Sequence, residues 1–292
     1  CGPEHEAEFL ALQPAINLVT HDAVNAFQGS ISAEHGLGQL RRDESARRCE
    51  AAVQALAVRG DHSSHQARNA AERFTSALRS HGMSARLGKN ADAAPDAKVL
   101  ARAPGHTVAE SVAVMLRESE SNVAEVLYRQ VALATGHKAT WAGGRRAARQ
   151  TLVSLGLDPI GMVLADGSGL SRDVRLTPRF IVDVLRVAKV SQPKRFTAMF
   201  KKSAMPVAGE SGTLTHRYGR YDSRPSSCAT GKVQAKTGTL VDTIALSGVA
   251  TLANGQRRLF SMIVNDRPTS YSPLSTRRAL DGLAATIVGC WK

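Results

Sequence analysis

Residues 233–240 (VQAKTGTL), 244–252 (IALSGVATL) and 256–266 (QRRLFSMIVND) are short runs of alternating or continuous apolar character. That pattern predicts three strands. Asn254-Gly255 lies between the last two and predicts a tight hairpin, because both residues tolerate positive φ. The earlier chain has a longer period, suited to helices. Residues 6–28 and about 43–58 read as helical. A further helix is predicted from an N-cap at Ser64, through an apolar stripe of Ala67, Ala70, Ala71, Phe74 and Leu78, to a stop at Gly82. Thr107-Val-Ala-Glu110 is a capping box opening a helix that runs to about Arg117. Residues 123–135 form the next helix, and Thr140 to Gly156 brackets another. Thr177-Pro178 starts one more, since proline is preorganised at the first helical position. Residues 275–288 carry an apolar stripe suited to packing on the sheet.

Helices segregated from an antiparallel sheet predict an α+β domain from about residue 105 to the end. Strand 233–240 should pair antiparallel with 244–252, under the 275–288 helix. The Pro/Ala/Asp-rich stretch 89–97 (KNADAAPDA) is the best joint. Segment 206–231 has neither period and is expected to be mobile. Three parts result, at 1–50, 51–104 and 105–292, with no internal repeat.

Composition narrows the class without deciding it. Of 292 residues, 43% are hydrophobic and 22% charged, ordinary for a soluble globular protein. No apolar run reaches the length of a membrane helix, so no integral membrane segment is expected. The 38 basic and 25 acidic residues give a net charge of +13. These charges are scattered and aromatic residues are only 4%, so the stacking platforms of a single-strand nucleic-acid binder are missing, and no nucleic-acid partner is expected. An anionic polymer, a membrane surface or plain solubility each account for the charge. The four cysteines (Cys1, Cys49, Cys228 and Cys290) form no Cys-x-x-Cys pair. In an exported protein Cys228 and Cys290 could pair, though spacing does not assign connectivity. The chain begins at Cys1 without an apolar leader, which suits either a processed or a partial chain.

Three polar clusters interrupt the apolar pattern. Ser119-Glu-Ser-Asn122 falls at a break between helices, where Ser and Asn serve as caps. Asp166-Gly-Ser-Gly-Leu-Ser171 has the makings of a tight turn. Lys236-Thr237-Gly238 places an ammonium and a glycine inside a strand, which suits a solvated edge or a strand lining an anion pocket.

Taken together, the stretches MLRESESNVAEVLYRQVAL, LADGSGLSRDVRLTPRFIVDVL and VQAKTGTLVDTIALSGVA resemble the class C low-molecular-mass penicillin-binding proteins. These are serine D-alanyl-D-alanine carboxypeptidases and endopeptidases of peptidoglycan metabolism, and the resemblance covers about residues 60–292. It implies a sheet of the serine transpeptidase/β-lactamase-like type, an acyl-enzyme mechanism without a cofactor, and a cell-envelope or extracellular location. It implies stem peptides ending in D-Ala-D-Ala and β-lactams as partners. It places Ser119 and Lys236 in catalysis, with Ser121, Asn122, Ser168, Thr237, Gly238 and Thr239 binding substrate. A terminal carboxylate needs a fixed cation and a hydroxyl donor, which Lys236 and Thr237 would supply. Gly238 would let substrate approach the strand, and the Thr239 N–H would face the oxyanion. Two details depart from the family: Ser121 stands where its Ser-x-Asn motif has asparagine, and Val174 where asparagine usually follows SRD. The family's nucleophile comes from Ser-x-x-Lys, and this chain has that spacing only at Ser191-Gln-Pro-Lys194, after the DGSG helix. Binding of D-Ala-D-Ala peptides or penicillins without a covalent adduct is therefore expected.

Residues 14–48 separately resemble the C-terminal cap of FAD-linked oxidases of the glycolate-oxidase and D-2-hydroxyacid dehydrogenase group, a short helical appendage. That resemblance would assign Glu34 to a divalent metal and His35 to substrate. One carboxylate and one imidazole leave most of a metal's shell to water, so no metal is expected there. No glycine-rich pyrophosphate loop is present for a flavin.

Overall fold

A computed structural model describes residues 66–88, 107–268 and 270–290. Glu34, His35, the 6–28 and 43–58 helices, the Ser64 cap and the 89–97 joint lie outside the described residues. The chain divides into two compact units, one up to Ser111 and one from Val112 onward. In the first unit, α1 (Gln66–Ser80) carries an exposed Arg68–Glu72 ion pair one turn apart. It stops at Gly82, whose φ of +79° takes the left-handed conformation while Met83 N–H donates back to Leu78 O.

Helix α2 (Val108–Glu118) opens with the expected capping box. Thr107 N–H donates to Glu110 Oε2 at 2.7 Å and Glu110 N–H to Thr107 Oγ at 3.2 Å. The second unit continues with α3 (Ser121–Ala134) and α4 (Trp141–Ser154), which pack on each other. The Thr140 hydroxyl caps α4 through the Gly143 N–H. Next come α5 (Pro178–Arg186), capped by Thr177, a π-turn (Val187–Ser191) and the short α6 (Pro193–Phe196).

The sheet has three antiparallel strands in the order β1 (Val233–Thr239), β2 (Ile244–Thr251) and β3 (Arg257–Val264). Helix α7 (Pro273–Val288) packs on it. Its Leu280, Ala284, Ala285 and Val288 meet Val233, Ala235, Ile244, Leu246 and Ala250 in one buried cluster. Alternation then sends Gln234, Lys236 and Gly238 to the opposite face. The fold is α+β.

Segment 206–231 departs from expectation. It is folded into the core, with Val207, Ala208, Leu214 and Tyr221 all buried. Residues 206–208 run along the outer edge of β1: Ala208 N–H donates to Val233 O, and Ala235 N–H to Pro206 O. Short 3₁₀ turns bury apolar residues at irregular spacing, so no period announces them. Two clamps fasten the segment to α7. Arg220 and Asp281 form a buried bidentate pair at 2.7 and 2.5 Å, and Cys228 is disulfide-bonded to Cys290.

Candidate active site

The outer edge of β1 is half covered. Segment 206–208 pairs with its first residues, and the Ala235 N–H marks which way odd-numbered N–H groups point. By the two-residue period, the Thr237 and Thr239 N–H groups face the same outer edge, beyond the reach of 206–208. No acceptor among the described residues takes the Thr239 N–H. The edge is therefore closed along its first residues, and the Thr237 and Thr239 N–H groups are left without a backbone acceptor among the described residues.

Lys236 reaches over this edge. Its Nζ donates to Ser119 Oγ at 2.6 Å and to Thr237 O at 2.8 Å. Burial lowers its pKa to about 8, because a partly dehydrated ammonium loses solvation. Ser119 sits between α2 and α3 at φ +59°, a conformation that costs a non-glycine residue about 1–3 kcal/mol. Glu120, buried beside it, starts α3 in extended conformation. The break between helices thus turns the Ser119 hydroxyl toward the sheet.

Packing brings these elements together. A Cβ at Gly212 would lie 2.5 Å from Arg117 O, so the 3₁₀ turn at 212–214 rests directly on the end of α2. From that turn, Thr213 Oγ meets Thr237 Oγ at 2.8 Å and orients the hydroxyl. At Gly238 an added Cβ would meet Ala245 Cβ at an ordinary 3.4 Å. Packing within the protein does not demand glycine there, and the space above it is open. Gly248 on β2 differs, since a Cβ there would fall 2.1 Å from Gln234 O.

The Asp166–Ser171 loop is fixed from three sides. Asp166 accepts from the Gly169 and Ser171 N–H groups at 2.6 and 2.7 Å. Glu125 of α3 accepts at Oε1 from Gly167 N–H, Ser168 N–H and Ser168 Oγ, at 2.8–3.0 Å, and at Oε2 from Trp141 Nε1. Arg172 pairs with Asp242 in the turn between β1 and β2. The Ser168 hydroxyl is thus engaged by Glu125, and no hydrogen bond joins it to the Lys236 cluster. Ser121 and Asn122 follow Ser119 on the first turn of α3, both half-buried. Ser191 and Lys194 are exposed at the π-turn and α6, and the Lys236 ammonium contacts neither.

Thr213, Glu125 and Asp242 also serve the site, although none of them stands out in the sequence. Glu125 stood within a quoted motif, but only the fold shows it holding a distant loop. Thr213 lies in the segment without period. Among the described residues, no group of three or more His, Cys, Asp or Glu is placed to hold a metal.

Residues 15–287 match a family described as D-Ala-D-Ala carboxypeptidase 3 (S13). The chain is 36% identical over 182 residues to Carboxypeptidase DacB of Mycolicibacterium smegmatis, covering 62% of this chain and 37% of that protein. It is 33% identical over 216 residues to the D-alanyl-D-alanine carboxypeptidase of an Actinomadura species, covering 71% and 38%. The chain thus spans under two fifths of either relative's length. Its fold is similar to penicillin binding protein 4 (dacB) of Haemophilus influenzae, solved with a β-lactam: TM-score 0.60, 25% identity, 74% of this chain and 51% of that one. The family match covers the 14–48 segment from residue 15 onward, so its likeness to FAD-linked oxidase caps finds no support.

Proposed function

The chain belongs to the D-Ala-D-Ala carboxypeptidase 3 (S13) family, and we propose that it carries the carboxylate-binding side of a serine D-alanyl-D-alanine carboxypeptidase or endopeptidase site. The observation that carries this reading is the Lys236–Ser119 contact beside the unpaired Thr237 and Thr239 N–H groups. A peptide ending in a free carboxylate would lie along that edge as an added strand. The Lys236 ammonium and the Thr237 hydroxyl would hold the carboxylate by charge-assisted hydrogen bonds. The Thr239 N–H would face the scissile carbonyl oxygen, where negative charge develops. Ser119 Oγ, already hydrogen-bonded to Lys236, would pass a proton to the leaving amine. The open space over Gly238 would admit the peptide backbone or a β-lactam ring.

In this reading Ser121, Asn122 and the Asp166–Ser171 loop wall the groove, on a scaffold of the serine transpeptidase/β-lactamase-like type. The Cys228–Cys290 disulfide supports an exported, envelope-facing protein, since such bonds persist in oxidising compartments. Acylation needs a nucleophile with a base beside it. The chain's Ser-x-x-Lys spacing, Ser191 to Lys194, stands exposed and out of contact with Lys236. This chain by itself therefore binds such ligands reversibly and does not acylate.

Intact-mass spectrometry after incubation with benzylpenicillin, paired with calorimetric titration of an acyl-D-Ala-D-Ala peptide, tests the reading. Binding with unchanged mass supports it. A stoichiometric adduct mapped to Ser191 would overturn the non-acylating part, and no binding of peptide or penicillin would overturn the whole.

A further inference from the structure

The same face of the sheet carries a second concavity, toward the Val233 end of β1. A cavity of about 240 Å³ opens between the π-turn, the 3₁₀ turn at Thr197–Phe200 and the strands. Four cations line it: Lys189, Lys202, Lys232 and Arg257. Two of them are already engaged, Lys202 by Glu210 at 3.1 Å and Lys232 by Cys228 O at 3.1 Å. Lys189 and Arg257 have no carboxylate partner among the described residues. The Lys189 ammonium is held over the Phe200 ring at 4.4 Å. Its partial burial and the facing Arg257 charge both disfavour the charged form. The wall behind them is rigid, because the Gln234 amide donates to the Phe200, Lys201 and Met205 carbonyls at 3.1–3.3 Å.

Cations that merely keep a protein soluble stand apart in water. Here the fold holds two of them at one hollow, Lys189 partly dehydrated and Arg257 exposed, neither paired with a carboxylate among the described residues. We propose that this cavity binds a phosphate group, either free phosphate or a phosphodiester of an anionic polymer. Arg257 offers paired N–H donors that match two phosphate oxygens, and Lys189 adds a point charge. Free phosphate carries up to two charges and a phosphodiester one, in both cases on non-bridging oxygens set at the spacing the Arg257 fork can bridge. None of the cavity's cations belongs to the Lys236 site, so the proposal stands apart from the peptidase reading.

The test is calorimetric titration of the full chain with sodium phosphate, and separately with poly(glycerol phosphate), at constant ionic strength. Saturable phosphate binding is expected, weakened at least about tenfold in K189A/R257A. The control K138A/R146A removes the same charge from exposed positions outside the cavity and should bind as the unaltered chain does. Thermal melting of each variant establishes that it is folded, and R257K, which keeps the charge but loses the fork, should bind with intermediate affinity. Tighter binding of the polymer, displaced by free phosphate, identifies the phosphodiester as occupant. Phosphate binding without polymer binding identifies free phosphate. No saturable binding, equal binding by K189A/R257A and the unaltered chain, or equal weakening in both double variants overturns the proposal.

Discussion

The Lys236 ammonium stands 2.6 Å from the Ser119 hydroxyl although 117 positions of sequence separate them. Each group explains an oddity of the other. A lysine inside a strand is dehydrated and needs an acceptor, and a serine at positive φ needs something to repay its strain.

Carboxylate binding at this site should depend on pH through Lys236. Its pKa is lowered to about 8, so the ammonium is fully present below that pH and lost above it. Affinity for an acyl-D-Ala-D-Ala peptide should hold steady below pH 8 and fall through pH 8–10, measured by calorimetry. K236R should flatten that profile. Stability runs the other way: the unfolded chain retains this proton up to about 10.5, so raising the pH from 8 toward 10.5 relieves a folding penalty.

Glu125 should prove to be a positioning residue for the Asp166–Ser171 loop. Its Oε1 accepts three hydrogen bonds from Gly167 and Ser168. E125A leaves those donors unpaired and should cost about 2–4 kcal/mol in denaturant unfolding. E125Q keeps an acceptor oxygen and should cost less. Amide exchange should accelerate at Gly167 and Ser168 in E125A, a local signature that general destabilisation would not single out.

Two glycines in neighbouring strands should respond oppositely to alanine. G238A meets only Ala245 at 3.4 Å, so the melting temperature should stay within about a degree, a change under about 0.5 kcal/mol. Its peptide and penicillin affinity should drop at least about tenfold, because the methyl group fills the ligand's approach. G248A places a Cβ 2.1 Å from Gln234 O and should disrupt the β1–β2 pairing, seen as loss of cooperative unfolding.

Reducing Cys228–Cys290 should destabilise the second unit. The bond closes a loop of 62 residues, for which chain entropy gives about 4 kcal/mol. C228S/C290S should therefore melt at lower temperature than the oxidised chain and no longer respond to reductant.

Most of the scaffold could be read along the chain. The capping box at Thr107 and Glu110, the caps at Thr140 and Thr177, the stop at Gly82 and the three strands are local signals: each depends on residues within a turn or on a period of two or 3.6. The polar clusters at Ser119, Asp166 and Lys236 could be seen too, because each breaks the apolar pattern around it. What each cluster touches could not. Segment 206–231 has no period, yet its tertiary packing places Thr213 on Thr237, covers half the β1 edge and leaves the Thr237 and Thr239 N–H groups unpaired. Glu125 carries no local signal of its role, and only the approach of α3 to a loop some forty residues on makes it that loop's anchor. Residue chemistry is a local property and sequence carries it. Which groups share a site depends on contacts between distant segments, and those were decided by close packing at Gly212 and the buried Arg220–Asp281 pair.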